Sequence, residues 1–202
     1  MSFVQRRKFL WVLFLIGVGL IGAVAAMGTT LAAMRFDELA QRATAVVRLR
    51  CLGAHSLVER GEIWTETRFE TMTAEKGVIG GLVTVRMPGG RMDGLHARVD
   101  GVPEFAAGEE VYLFLWNGSD EEGGVKPPQQ QWGHGAFRVL GWTQGTFRIR
   151  RDEKSGRESV TQDSANAAVF DRDTRTFRHE GIREMGVNEF RSKLRAALER
   201  RE

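Results

Sequence analysis

Cysteine is nearly missing from this chain of 202 residues. The single cysteine, Cys51, excludes a disulfide framework and any zinc or iron–sulfur site that needs several thiolates. Because 42% of the residues are apolar and 27% are charged, the chain can bury a core and falls outside the disordered class. The length fits one domain with additions rather than several domains.

Most of the chain carries no excess of positive or negative charge. The formal net charge is +3, and the first 26 residues contain Arg6, Arg7 and Lys8 without any acidic residue. Removing these three from the 29 Lys and Arg leaves 26, which equals the number of Asp and Glu. The positive excess therefore belongs to the N-terminus, and the neutral remainder predicts that nucleic acid is not a partner.

Sequence signatures of common catalytic and metal sites are also missing. A GxSxG nucleophile elbow, a P-loop and an HExxH motif do not occur. The paired carboxylates Glu109-Glu110 are adjacent, so in a strand they point to opposite faces and cannot flank one bond. We therefore predict no catalytic residue, no metal site and no cofactor. The four histidines are isolated in the sequence and are expected on the surface: His55, His96, His134 and His179.

The N-terminus has the layout of an export signal. Met1–Lys8 is short and positive, and Phe9–Ala26 is an uninterrupted apolar run. This order is typical of a secretory signal peptide, with cleavage after Ala25 or near Ala32–Ala33. The rest of the chain is then extracytoplasmic, either periplasmic or secreted.

An uncleaved membrane anchor is the alternative for residues 1–34. As a helix, Phe9–Met34 would extend about 39 Å, which exceeds the roughly 30 Å of bilayer hydrocarbon. The membrane would then be a partner, and the positive end would remain in the cytoplasm with the domain outside the inner membrane.

Two arginines introduce a second export route. Arg6 and Arg7, followed by Phe9 and Leu10, resemble the twin-arginine export motif, although Gln5 stands where that motif usually has Ser or Thr. The strong hydrophobicity of the following run favours the general secretory route.

Residues 35–152 are predicted to form a β-domain that begins with a short helix, Arg35–Ala43. The segment Val111–Trp116 is apolar on both faces, as in a central strand. Because Gly-rich turns separate the strands and no long helix intervenes, the pattern predicts a mainly β fold, an antiparallel barrel or sandwich. Alternation predicts three further rows of inward side chains, Val47-Leu49-Cys51, Val83-Val85-Met87 and Leu95-Ala97-Val99. The first row predicts that the Cys51 thiol is buried.

Residues 153–202 are predicted to add a late hairpin and a C-terminal amphipathic helix packed on the barrel. The hairpin pairs Val169-Phe170 with Thr176-Phe177. The helix is predicted over Glu189–Arg201 with Asn188 as its N-cap. Its apolar stripe comprises Val187, Phe190, Leu194 and Leu198.

Several segments together carry a resemblance to a known group of proteins. In order they read AxAVVRxR, EIWTETRFETMTAEKG, VTVRMPGG, VDGVPEFAAGEEVYLFLW and FRVLGWTQGTFRIR. This order resembles a group of uncharacterised exported bacterial β-domains with a KG turn, a GG turn and a GEEVxLFL strand. Over about residues 36–152, the resemblance implies an OB-like five-stranded barrel. It implies no activity.

The remaining sequence signal favours binding. Trp132, His134 and Trp142 lie near the ends of one predicted strand pair, beside the polar loop Asn117–Gly135. Exposed aromatic rings on a β-surface stack on sugars and peptides, so we predict a binding or scaffolding module of the cell envelope with a protein or glycan ligand. The alternative is an envelope hydrolase whose site is assembled across the barrel around His134.

Overall fold

The computed structural model describes residues 32–117, 136–171, 173–179 and 181–200. The predicted export residues Arg6, Arg7, Phe9 and Leu10, and the predicted binding residues Trp132 and His134, lie outside these ranges. Among the residues that are described, no helix is both long enough and apolar enough to cross a membrane.

The described chain is mainly β, as predicted. Helix α1 spans Phe36–Arg42, which matches the predicted first helix, and helix α2 spans Val187–Glu199. The strands are β1 Ala45–Glu59, β2 Glu62–Lys76, β3 Leu82–Pro88, β4 Gly90–Met92, β5 Leu95–Ala97, β6 Glu110–Trp116, β7 Ala136–Val139, β8 Thr146–Arg151, β9 Glu158–Gln162, β10 Val169–Asp171, β11 Thr176–Arg178 and β12 Met185–Gly186.

Five of these strands pair in a closed ring, in the order β1, β2, β3, β7, β6 and back to β1. The pairing of β3 with β7 is parallel, with Thr84 opposite Ala136, whereas the other four pairings are antiparallel. The sheet continues beyond the ring from β6 through β8 and β9 to β12. Ring closure gives each of the five strands a paired neighbour on both sides, as in a small barrel.

Strand β6 is buried on both faces, as its sequence predicts. Val111, Leu113 and Leu115 face the inside of the ring, whereas Tyr112 and Phe114 face outward under the helices. The predicted inward row of β1 is also confirmed, because Val47, Leu49 and Cys51 are all at most 1% exposed. Alternation along a strand thus separates an inner core from an outer one. Other buried members of the inner core are Ala45, Phe69, Val83, Val85, Met87 and Val139.

The two helices cover the outer core. Phe190 of α2 lies 4.9 Å from the ring of Tyr112 and 5.2 Å from that of Phe147, measured between centroids. Phe36 of α1 adds edge-on contacts with Phe114 and Phe190. This aromatic cluster fixes both helices against one side of the sheet.

The start of α2 differs from the prediction. The helix begins at Val187 after Gly186, so Asn188 is not its N-cap and lies within the first turn. The cause is strand β12, since Met185 pairs with Val160 and Gly186 with Ser159 of β9. That pairing fixes where the extended chain ends and the helix begins. The predicted stripe is correct at Phe190 and Leu194, which are fully buried.

Two short hairpins lie outside the large sheet. β10 and β11 form the predicted late hairpin, with Phe170 opposite Phe177. β4 and β5 form the other, and Leu95, predicted to face inward, is 65% exposed there. The turn before β4 depends on Gly89 at φ 93°, where a Cβ would lie 2.7 Å from the carbonyl oxygen of Ala97.

Candidate functional site

The first described residues join the domain as a short extended segment. Ala32 bridges to Phe170 in parallel register, and the backbone N–H of Ala33 donates to the carbonyl of Phe170 at 2.8 Å. These residues follow the apolar N-terminal run, so we call Ala32–Met34 the junction segment. It is held on one edge of the β10–β11 hairpin.

A buried glutamine holds the other side of the junction segment. The side-chain oxygen of Gln144 accepts the N–H of Met34 at 2.8 Å, and its side-chain nitrogen donates to the carbonyl of Ala32 at 2.8 Å. Gln144 is only 3% exposed. Its amide therefore satisfies both backbone groups that flank Ala33, as a neighbouring strand would.

A second glutamine fixes the first. The Gln162 side chain donates to the backbone carbonyl of Gln144 at 2.6 Å, and its oxygen accepts the N–H of Ile182 at 3.1 Å. Buried amides whose donors and acceptors are satisfied rigidify their surroundings. The two glutamines thus tie the junction segment to β9 and to the loop before β12.

A cleft of about 840 Å³ opens beside the junction segment, between α1, the turn before β8 and the β10–β11 hairpin. Trp142, predicted as a binding residue, lines this junction cleft and is half-buried against the inner core. Side chains of both charge signs line the cleft. Arg42 pairs with Glu38 at 2.9 Å, and Arg178 pairs with Asp171 at 3.2 Å. The volume is within the range of clefts that hold small ligands or peptide segments.

A smaller cleft of about 210 Å³ lies at the end of the ring near β4 and β5. Two of the hydroxyl groups that line it, those of Ser56 and Thr65, are bonded to each other. Thr65 donates to the carbonyl of Gly89 at 2.7 Å, which leaves its oxygen to accept from Ser56 at 3.2 Å. His96 and Glu104 line the same cleft and are exposed. Since the Ser56 proton is directed to Thr65, Ser56 lacks the contact with a base that a nucleophile needs.

Two arginines lie over the ring of Trp64 on the outer face of β2, β3 and β7. The Arg86 guanidinium lies 5.0 Å from the ring centroid and that of Arg138 lies 5.7 Å away. Arg86 is 4% exposed and ion-pairs with Glu59. Burial, and secondarily the charge of Arg86, lowers the pKa of Arg138. These contacts join three strands of the ring.

An ion-pair network crosses the outer face of β1, β6 and β9. Arg48 pairs with Glu110 at 2.5 Å and with Glu158 at 3.0 Å. The hydrogen bond from Arg48 is the main reason that the pKa of Glu158 falls to about 2. At Glu110, burial raises the pKa, but the hydrogen bonds from Arg48 and Arg50 outweigh burial, so the pKa is lowered overall.

The neighbouring carboxylate Glu109 belongs to a separate ion-pair network. It pairs with Arg148, which also binds Asp163 at 2.5 Å. Glu109 and Glu110 therefore serve different partners, although Glu109 precedes the first residue of β6 and is not part of the strand that the prediction assumed. The Arg48 network joins β1, β6 and β9, whereas the Arg148 network joins β8 to the residue before β6 and to the turn after β9.

Cys51 lies inside the ring with 1% exposure, as the alternation predicted. Burial raises the pKa of its thiol, so it remains protonated at neutral pH. The described histidines His55, His96 and His179 are exposed, also as predicted.

The structure brings Trp142 into a cleft, and the binding roles of Trp132 and His134 stay predictions. The residues that sequence reasoning missed are Gln144 and Gln162. The first lies in the segment GWTQG, whose glycines indicate a turn and give no sign of a buried amide. Comparison of the chain with protein-family models, with curated proteins and with solved structures finds no match.

Proposed function

We propose that the protein is an exported envelope module whose β-domain lies outside the inner membrane and binds a protein or glycan in the junction cleft. The observation that carries the proposal is the double hydrogen bond of Gln144 to the junction segment. This contact makes residues 32–34, six to eight positions after the last residue of the apolar run, part of the domain. An export segment and the folded domain are thereby joined at a site that also forms a cleft.

The chemistry of the junction cleft supports a polar, extended ligand. Trp142 offers a half-buried ring face, which suits a sugar or a peptide side chain. The arginines and carboxylates at the rim can donate hydrogen bonds to, and accept them from, the hydroxyl, amide or carboxylate groups of a ligand. A strongly anionic polymer is disfavoured, since Glu38, Asp171 and Asp173 line the cleft together with its arginines.

The proposal is tested by photo-crosslinking in the native cell. A photoreactive amino acid at Thr174, which lines the cleft, is compared with the same amino acid at Thr73, an exposed threonine of β2 outside it. We expect a discrete crosslinked envelope protein at position 174 only, lost in the variant Trp142→Ala while cooperative unfolding is retained.

A glycan ligand is tested in parallel by co-sedimentation of the purified protein with isolated cell wall. Here Trp142→Ala is expected to abolish sedimentation, whereas Thr73→Ala leaves it unchanged. Absence of both the position-specific crosslink and the sedimentation would contradict the proposal.

A further inference from the structure

The β10–β11 hairpin is the element that pairs with the junction segment. The carbonyl of Phe170 accepts the N–H of Ala33, and the Phe170 ring packs edge-on against Phe177 with centroids 5.4 Å apart. Phe177 is nevertheless 64% exposed. A large exposed aromatic ring is therefore two contacts away from the chain that follows the apolar run.

The sequence limits how far this hairpin can lie from the apolar run. Six residue steps separate Ala26, the last residue of the run, from Ala32. A fully extended chain spans at most 3.6 Å per step, so the separation is at most about 22 Å. If the run remains in a bilayer, the hairpin is held close to the bilayer surface.

The side chains of the hairpin suit that position. Phenylalanine gains free energy at the boundary between headgroups and acyl chains. Arg175 at the hairpin turn and Arg178 beside Phe177 are exposed, and guanidinium groups bind lipid phosphates. Asp171 faces Arg178 at 3.2 Å, and the exposed Asp173 adds a second negative charge near the turn. In sequence, residues 169–178 contain three arginines and two aspartates, so their net charge is small, and the exposed ring is the main feature that suits a bilayer surface.

We propose that Phe177 inserts into the surface of the bilayer that holds the N-terminal segment, so that the β10–β11 hairpin fixes the orientation of the domain. This inference rests on the envelope location in the proposed function and on an uncleaved segment. It does not depend on the ligand of the junction cleft.

The chain offers a matched pair of positions for the test. Phe177 and Leu95 are both apolar hairpin residues, 64% and 65% exposed, but only the former lies on the hairpin that pairs with the junction segment. In a Cys51→Ala background, each is replaced by cysteine and labelled with the environment-sensitive fluorophore NBD. The full chain is reconstituted into vesicles of phosphatidylethanolamine and phosphatidylglycerol.

We expect a blue-shifted NBD emission that is quenched by doxyl-labelled lipid at position 177, and a water-like emission without quenching at position 95. Equal emission and quenching at the two positions would overturn the proposal, as would a chain that fails to float with the vesicles. The vesicles contain no envelope protein and no cell-wall glycan, so this test does not depend on the ligand of the junction cleft, and the two failures are distinguishable.

A second measurement leaves Phe177 in place. Vesicles that contain a lipid with a diazirine in its acyl chain are irradiated with the unmodified protein, and adducts are located by mass spectrometry. Adducts are expected on residues 173–179 and not on residues 90–97. Adducts on residues 90–97 alone, or none on 173–179, would contradict the contact.

Discussion

The side chain of Gln162 donates to the backbone carbonyl of Gln144 at 2.6 Å, and both residues are at most 8% exposed. The side chain of Gln144 bonds Ala32 and Met34, while its backbone is held by Gln162. The domain thus has a built position for the segment that connects it to the apolar N-terminus. This arrangement is the physical basis of the proposed membrane-proximal role.

Replacing Gln144 with leucine removes both bonds to the junction segment and leaves a backbone donor and acceptor unsatisfied. We expect a loss of about 2–4 kcal/mol in the free energy of unfolding, measured by urea denaturation of the detergent-solubilised chain. Gln41 is the control, because its exposed side chain also bonds two backbone carbonyls, those of Ala197 and Arg200. Gln41→Leu is expected to cost less than about 1 kcal/mol. Equal losses would show that burial of Gln144 adds nothing.

Phe190 and Phe177 form a second matched pair. Phe190 is fully buried between the helices and the sheet, whereas Phe177 is 64% exposed. Phe190→Ala is expected to destabilise the protein by about 3–5 kcal/mol because it leaves a cavity in the outer core. Phe177→Ala in detergent should change stability by no more than about 0.5 kcal/mol. Similar melting temperatures for the two variants would contradict the packing of α2 against β6 and β8.

Much of this core is predictable from the chain itself. The inward rows of β1 and β3 follow from period-two alternation, and the absence of polar residues in VYLFL predicts that β6 is buried on both faces. Strand β9 was missed because Val160 is the only large apolar residue in its segment ESVTQ. The burial of Gln144 was missed because its partners Met34 and Ala32 lie 110 and 112 residues away in sequence. No local pattern encodes such a contact.

The ion pairs of Glu158 make stability depend on pH. Its pKa is about 2 in the folded protein, compared with an ordinary value of 4.5. The Glu158 carboxylate therefore binds a proton less readily in the folded state than in the unfolded state. For this reason the ionised carboxylate stabilises the fold at pH values above about 4.5. That stabilisation is lost as the pH falls from about 4.5 towards about 2.

Urea denaturation across that pH window checks the assignment. We expect Glu158→Gln to show a shallower loss of stability with falling pH than the unmodified protein. Glu153→Gln, at an exposed turn residue, should retain the original slope. An unchanged slope in Glu158→Gln would exclude this carboxylate as the source.

The buried thiol provides a probe of the closed ring. Because burial raises the pKa of Cys51 and excludes solvent, alkylation by iodoacetamide requires opening of the fold. We expect the reaction to be at least about a thousandfold slower than in denaturant, if global unfolding is the route. Leu95→Cys, at a 65% exposed position, should add a thiol that reacts rapidly. Rapid reaction of Cys51 itself would indicate an open inner core.

The most direct test of the central claim is the intact mass of the protein recovered from the envelope fraction of the native cell. We predict a chain that retains the junction segment, either uncleaved or beginning at Ala26 after removal of the first 25 residues. Cleavage after Ala33 would sever the contacts of Ala32 with Gln144 and Phe170. A mature chain beginning at Met34, or a protein found only in the cytoplasm, would contradict an export segment built into the fold.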